Sequence, residues 1–350
     1  MEEISSPVAK NKEPITINDV AKLAKVSKST VSKVLNEQDG ISEKTREKVL
    51  ATMEKLNYHP SMVAKSLKSR KTKAIGLMLP SITNPVFPTI LKGVEDTALE
   101  NGYVIVFCNS DEKIEKESLY FEIFKNRWVD GIIFSVVTGN KEEESYIRAI
   151  YEKGTPVVLI DREIDGYFAN VVMIDNKKSA FDATTHLLEL NHRKIGCITG
   201  PLNIKIFTKR LQGYRKALAE YGIEFNEDLV KEADLTIKGG SLAVKELLSQ
   251  KELPTAIFAC NDFMAIGAIK ELQRNGLKVP NDVSVIGFDD IPLASLVTPS
   301  LTTIAQPLYE MGVEAMNLLM RLMEKKGASR RKILLDTQLV IRDSTSKPKV

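Results

Sequence analysis

INDVAKLAKVSKSTVSKVLN, Ile17 to Asn36, is the stretch from which the amino-terminal fold is read. Its apolar residues fall at helical spacing in two short runs on either side of Lys25. The pattern predicts two short helices joined by a tight turn. Val20, Ala24, Val26, Val31 and Val34 would form their shared apolar face, and Ala21 is small enough for a close crossing. Thr16, with Asp19 three residues on, is a capping-box start, and Ser27 can cap the second helix. Lys28, Ser29, Thr30, Ser32 and Lys33 are left facing outward. Short hydroxyls and long cations on one helix face suit base edges and phosphates, and such a helix fits the major groove of DNA. With Thr16 and Asn36 at the ends of the pair, these are the candidate DNA-contacting residues. The plain alternative is an ordinary pair of surface helices.

The residues that follow argue against that alternative. PSMVAKSLKSRKTK, Pro60 to Lys73, carries Lys65, Lys68, Arg70, Lys71 and Lys73 and no acid. Up to and including Lys73 the chain has 15 Lys and Arg against 9 Asp and Glu, whereas the remainder has 34 against 37. Positive charge is thus concentrated at one end of a chain whose net charge is only +3. That asymmetry points to a polyanion partner bound with salt-sensitive affinity. Between the two segments, Ser42 to Asn57 reads as a third helix, with Val49, Leu50, Met53 and Leu56 on one stripe and Pro60 closing it. The opening MEEISSPVAKNKEPIT lacks the apolar run of a signal peptide and is expected to be a disordered lead-in.

Three helices and a basic stretch make a small headpiece, but the chain has 350 residues, 43% of them apolar. The rest can build a core of its own. No run of about eighteen apolar residues exists, so no transmembrane helix is expected and a cytoplasmic location is. Cys108, Cys197 and Cys260 are odd in number and widely spaced, which suits free thiols in a reducing compartment. They make no metal spacing with His59, His186 and His192, and neither metal nor cofactor is expected. No GxSxG, HExxH, P-loop or helix-opening GxGxxG is present. Asp289-Asp290 is a pair of acids, but adjacent residues normally point different ways. An enzyme is not expected.

From Lys73 onward short apolar runs alternate with helical stretches. Expected strands are Ala74–Leu79, Tyr103–Cys108, Val129–Phe134, Pro156–Ile160, Val171–Ile174, Ile195–Ile198, Leu229–Ala233, Ala256–Ala259, Val283–Gly287 and Ile333–Val340. Amphipathic segments such as Thr89–Glu100, Ser179–Leu190, Arg210–Tyr221, Gly240–Gln250 and Phe263–Asn275 lie between them. This alternation means an α/β class of parallel sheets covered on both faces. Some ten strands would overfill one doubly wound sheet, so two lobes are expected, each with its own sheet.

Ligands of such sheets bind outside the carboxyl ends of the strands. There the sequence puts Asn84 and Phe87, then Asp161 and Arg162, then Asn261 and Asp262, then Asp289 and Asp290. Converging carboxylates and amides can accept from and donate to vicinal hydroxyls, and Phe87 could stack on the apolar face of a sugar ring. Arg210, after the turn Ile198 to Pro201, offers a fork of donors. The alternative for each is a helix cap or turn residue, and for Asp262 the cap is preferred.

Several motifs in order, TINDVAKLAKVSKSTVSKVLN, YHPSMVAKSLKSRKT, IGLMLPSITNPVF, CNDFMAIGAI and SVIGFDDIPLASLVTPSLTTI, resemble the lactose-repressor family of bacterial transcription regulators. The resemblance spans Ile15 to about Asp343. It implies an all-α helix-turn-helix headpiece followed by a two-lobed regulatory domain like the periplasmic binding proteins, with three chain crossings between lobes. It also implies that Ser61 to Ser69 folds into a hinge helix on DNA, where Leu67 wedges between base pairs from the minor groove, flanked by Ala64 and Lys68. Asp161, Arg210, Asn261 and Asp289 match positions that hold effector between the lobes. The expected division is a lead-in at 1–14, a headpiece at 15–60, a hinge at 61–72, the two-lobed domain at 73–343 and a flexible tail at 344–350. The partners implied are palindromic operator DNA, a small sugar-like effector and a second copy of the chain. A protein coregulator, as in the catabolite-control branch, is the alternative to the sugar, with Lys125 and Arg127 as candidate contacts. A sugar-binding receptor without a DNA role is the remaining rival. Departures from the family pattern are Lys25, where glycine is usual in the turn, and Phe207 and Leu235 in the expected cleft.

Overall fold

The structure is a computed structural model that describes residues 15–36, 38–58, 72–125, 128–135, 141–162, 164, 170–250, 253–324 and 329–349. The expected lead-in, the hinge residues Ser61, Ala64, Leu67 and Lys68, and Arg127 lie outside the described residues. Two compact units divide the chain, Met1–Thr72 and Lys73–Val350.

In the first unit, α1 (Ile17–Ala24), α2 (Lys28–Leu35) and α3 (Glu43–Lys55) close on a core of Val20, Ala21, Ala24, Val31, Val34 and Val49. Small side chains here let three short helices approach closely. The Asp19 carboxylate accepts from the Thr16 backbone N–H at 2.8 Å and from its hydroxyl at 2.7 Å. Ser27 caps α2 by accepting from the Thr30 N–H at 3.0 Å. Lys25 takes the left-handed conformation, φ 53° and ψ 45°, and Val26 N–H reaches back to Ala21 O at 3.0 Å to close α1. On α3 the expected stripe is corrected at Leu50, which is 49% exposed. Helical spacing turns Thr52 inward instead, and its hydroxyl is satisfied by Lys48 O at 2.8 Å.

The second unit runs β1 (Ala74–Leu79), α4 (Val86–Glu100), β2 (Val104–Asn109), α5 (Ile114–Lys125), β3 (Gly131–Phe134), α6 (Lys141–Glu152), β4 (Val157–Ile160) and β5 (Val171–Ile174). It continues with α7 (Asn176–Glu189), β6 (Ile195–Thr199), α8 (Lys205–Glu220), β7 (Val230–Glu232), α9 (Ile237–Leu248), β8 (Ala256–Ala259), α10 (Asp262–Arg274), β9 (Ser284–Asp289), α11 (Pro292–Leu296) and β10 (Thr302–Ala305). It ends with α12 (Leu308–Glu324), β11 (Lys332–Leu335) and β12 (Gln338–Val340). The strands form two six-stranded sheets, β11-β5-β4-β3-β1-β2 and β12-β10-β9-β8-β6-β7. Pairing is parallel throughout except where β12 runs antiparallel to β10. Near-continuous Val and Ile runs such as VVLI and VVMI are buried on both faces, as helix-covered parallel sheets require.

The chain crosses between lobes at Asp175, at Gln306–Pro307 and at Asp336–Thr337. Two strand expectations change. Thr302–Ala305 is a strand that the apolar pattern did not mark, and Ile333–Val340 is two strands, one in each sheet. Outer helices touch backbone to backbone at glycines. A Cβ on Gly93 of α4 would stand 2.1 Å from Tyr309 O, and one on Gly312 of α12 would stand 2.2 Å from Ile90 O. The carboxyl-terminal residues, expected to be a flexible tail, pack down: Ser344 Oγ donates to Val285 O at 2.5 Å and Val285 N–H donates to Ser344 O at 2.8 Å. No helix among the described residues is long and apolar enough to cross a membrane.

Candidate DNA-binding face and inter-lobe site

Within the first unit, α2 puts Lys28, Ser29, Ser32 and Lys33 on one side by its 3.6-residue turn. Lys28, Ser29 and Lys33 are exposed, while Thr30 and Ser32 are half-buried. The hydroxyls are partly engaged: Ser27 Oγ lies 2.7 Å from Ser29 Oγ and 2.8 Å from Thr30 Oγ1. Asn36 Nδ2 donates to Ser32 O at 2.6 Å, which ties the end of α2. Thr16 is exposed at the start of α1, but its hydroxyl is turned onto Asp19. Those hydrogen bonds hold the Asp19 carboxyl below the usual carboxylate range. The two ammonium groups on a face free of acids give this helix the charge of a phosphate-binding surface.

In the second unit, strand ends of the two lobes bring Asp161, Arg210 and Asp289 together. All three are at least 95% buried, at 3%, 2% and 5% exposure. Arg210, from the second turn of α8, donates from Nε to Asn176 Oδ1 at 2.8 Å and from Nη1 to Cys260 O at 2.5 Å. Its Nη1 lies 3.5 Å from Asp289 Oδ1, and its guanidinium stacks 3.6 Å above the Phe288 ring. Gln306 Nε2 donates to the same Asp289 oxygen at 2.7 Å. The result is a chain of contacts, Asn176 to Arg210 to Asp289 to Gln306, held by residues of α7, α8, β9 and the β10–α12 crossing. Both of its ends are open: Asn176 Nδ2 and Gln306 Oε1 are buried polar atoms without a hydrogen-bond partner. Buried polar atoms are rarely left so, and in a cleft they mark where a ligand's polar groups go.

Burial raises the Asp161 carboxyl against the opposing pull of Arg162 and Arg210. Burial likewise raises Asp289 to about 6, opposed by Arg210 and by the Gln306 hydrogen bond. Positive φ at both residues, 67° at Asp161 and 119° at Asp289, sets these carboxylates on sharp exits from β4 and β9.

Other candidates have different surroundings. Both Nη atoms of Arg162 bond Glu112, each at 2.9 Å, so its fork is matched by a carboxylate of its own lobe. Asn261 is the cap of α10, accepting from Met264 N–H at 2.8 Å and donating to Leu235 O at 3.1 Å. The cap expected at Asp262 therefore falls one residue earlier. Asp262 instead accepts from the Thr303 hydroxyl at 2.6 Å and Ile291 N–H at 2.8 Å, tying β10 to the turn after β9. Asn84 Oδ1 accepts from Val86 N–H at 3.2 Å, and Phe87 sits in the main core at 4% exposure. Asp290 pairs with Arg342 at 2.7 Å, so the adjacent acids serve separate partners.

Sequence reading missed Asn176 and Gln306. Asn176 lies two residues past β5, so the strand-end rule that found Asp161 applied to it as well. Gln306 follows β10, the strand that went unmarked.

A profile described as bacterial regulatory proteins of the lacI family matches residues 16–61, and one described as a periplasmic binding protein-like domain matches residues 184–345. The HTH-type transcriptional regulator DegA of Bacillus subtilis is 38% identical, over 95% of this chain and 98% of that one. The lac repressor dimer, solved with operator and the anti-inducer ONPF, is similar at a TM-score of 0.88 and 29% identity, over 95% of this chain and 100% of that one. A lacI-family regulator from Enterococcus faecium solved with bound ribose has a TM-score of 0.70 and 30% identity, over 79% of this chain and all of that one.

Proposed function

This chain belongs to the lacI family of bacterial regulatory proteins and is a DNA-binding transcription regulator, not an enzyme; on that premise we propose that it represses carbohydrate-utilisation genes under the control of a neutral sugar. The observation that carries the sugar is the open-ended chain Asn176–Arg210–Asp289–Gln306 beside Asp161. Its spare atoms both donate and accept, which is what a hydroxyl group asks of a site. Charge narrows the class. Arg162 is shared between Glu112 and Asp161, so three carboxylates, Glu112, Asp161 and Asp289, stand against two guanidiniums, Arg162 and Arg210, in these contacts. The excess is negative, which disfavours sugar phosphates and sugar acids. Asp161, Arg210, Asp289 and Gln306 contact the effector in this reading, Phe288 backs the arginine, and Asn84, Phe87, Arg162 and Asn261 shape the walls.

Lys28, Ser29, Ser32 and Lys33 approach the major groove, with Thr16, Thr30 and Asn36 supporting their helices. Two copies would span a palindrome and set their helices about one DNA turn or a multiple apart. Support for a second copy on the regulatory unit comes from β2, an edge strand whose Val104 and Val106 are 49% and 43% exposed. Between the grooves, Ser61, Ala64, Leu67 and Lys68 form the hinge in this reading, with Leu67 as wedge. Effector alters the lobe angle and with it the hinge. A coupling of about 1–3 kcal/mol changes operator occupancy roughly 5- to 150-fold.

A thermal-shift screen of the purified protein against pentoses, hexoses, their phosphates and sugar acids tests the class. Neutral sugars should raise Tm by mass action, and a hit confined to the phosphates would overturn the reading. Operator binding measured with the hit alone, then with a phosphorylated carrier protein, separates sugar control from a coregulator.

A further inference from the structure

Asn176 occupies an unusual position. It is the first residue of α7, directly after Asp175, where the chain makes its first passage from the sheet of β1–β5 into the other lobe. It is 1% exposed, and its amide is oriented by its partner, since Arg210 Nε can only donate and so fixes Oδ1 as the acceptor. The donor half, Nδ2, therefore stands beside the Arg210 guanidinium with no partner. A helix start needing an anchor would not leave it so: Asp175 already caps α7, accepting from Lys177 N–H at 3.1 Å and Lys178 N–H at 3.0 Å. A buried amide donor is rarely left unmet, so a partner in the occupied site is expected.

We propose that Asn176 reads the effector directly: its Nδ2 donates to a hydroxyl or ring oxygen of the sugar while its Oδ1 positions Arg210. This rests on the neutral-sugar reading of the cleft and adds to it a specificity-determining residue. The amide sits on the first crossing as Gln306 sits on the second, and Ser179 Oγ, one turn along α7, lies 2.8 Å from Thr337 Oγ1 at the third. A ligand held by Asn176 is thus held by the segment about which the lobes turn, and sugar contact and lobe angle are coupled through a single side chain.

Asn176→Asp separates this role from a scaffolding one. The substitution keeps the oxygen that accepts from Arg210 and replaces the donor with a charged acceptor. If Asn176 merely anchors Arg210, the aspartate pairs with the guanidinium, and sugar affinity is unchanged or improved. If Nδ2 contacts the sugar, affinity falls by at least about tenfold while the thermal midpoint without sugar holds. Isothermal titration with D-ribose, D-xylose, D-glucose and D-galactose provides the readout. For whichever of these binds the wild type, its monodeoxy analogues are then titrated against wild type and Asn176→Ala, with Asn176→Ser as substitute should the alanine variant not fold. The proposal requires one analogue whose penalty in the wild type disappears in the variant. Equal penalties in both proteins, or undiminished affinity in Asn176→Asp, overturn it while leaving the sugar reading intact. If none of the four sugars binds the wild type, the sugar reading itself fails and the proposal falls with it.

Discussion

Lys25 holds a left-handed turn, φ 53°, where most side chains crowd their own carbonyl. Lys25→Gly removes that strain at the cost of a floppier unfolded chain, for a net gain of about 0.5–1 kcal/mol. The headpiece transition should move up by a few degrees in a thermal melt, and a fall would show that the lysine stem is earning its place through contacts. Asp289 makes a sharper prediction. Burial raises its carboxyl to about 6, and the ionised form accepts more strongly from its neighbours and from a sugar hydroxyl than the protonated one. Sugar affinity should therefore be flat above neutrality and decline below pH 6, approaching about tenfold per unit. Asp289→Asn should weaken binding and remove this pH dependence, while operator affinity without sugar stays as in the wild type. Loss of operator binding in that variant would give the residue a structural role instead.

At the level of elements, α2 and the glycine-tied helix pairs bear different loads. Replacing Lys28 or Lys33 with Ala should lower the slope of log affinity against log salt by about one each. A slope unchanged by both would move the DNA face elsewhere. In the regulatory unit, Gly93→Ala pushes a methyl into Tyr309 O and should cost at least about 2 kcal/mol, read from denaturant melts as a lower midpoint. How far such elements were legible depended on where their partners lie in sequence. The helix-turn-helix was readable because its pattern is local: Val20, Val31 and Val34 repeat at helical spacing within twenty residues. The long apolar strands were readable for the same reason. β10 was not, because Thr302 and Thr303 are fully buried polar residues. Thr303 is satisfied by Asp262 and Thr302 by Arg342 N–H, partners about forty residues away on either side. The same blindness hid Gln306 and moved the helix cap from Asp262 to Asn261. Hydropathy cannot see a polar group whose satisfaction is tertiary.

Across the whole molecule, the carboxyl-terminal residues fasten the second lobe through two histidines. His192 Nε2 lies 2.8 Å from Ser346 O, and so donates, while Nδ1 lies 2.9 Å from the Thr255 hydroxyl. His186 Nε2 is 3.0 Å from Thr345 Oγ1. Burial pushes both imidazoles below their ordinary 6.5. A histidine kept neutral in the fold contributes stability that is complete above its unfolded value and is lost as pH drops through 6.5 toward the depressed one. Asp262 and Asp289 have raised values and act in the opposite sense at lower pH. The histidine contribution is therefore read as a difference: between pH 7.5 and 5.5, wild type should lose more Tm than His192→Gln does. Equal losses would show that the strap is indifferent to these protons.

β11 and β12 divide a single run of sequence between the two sheets. Neither lobe owns a contiguous piece of gene. A stop codon just past Glu324 would strip an edge strand from each sheet in one stroke, along with the strap that His192 holds. Late nonsense and frameshift alleles, ordinarily the mildest, should behave here as complete losses, and neither half can be expressed alone by cutting the reading frame at one point.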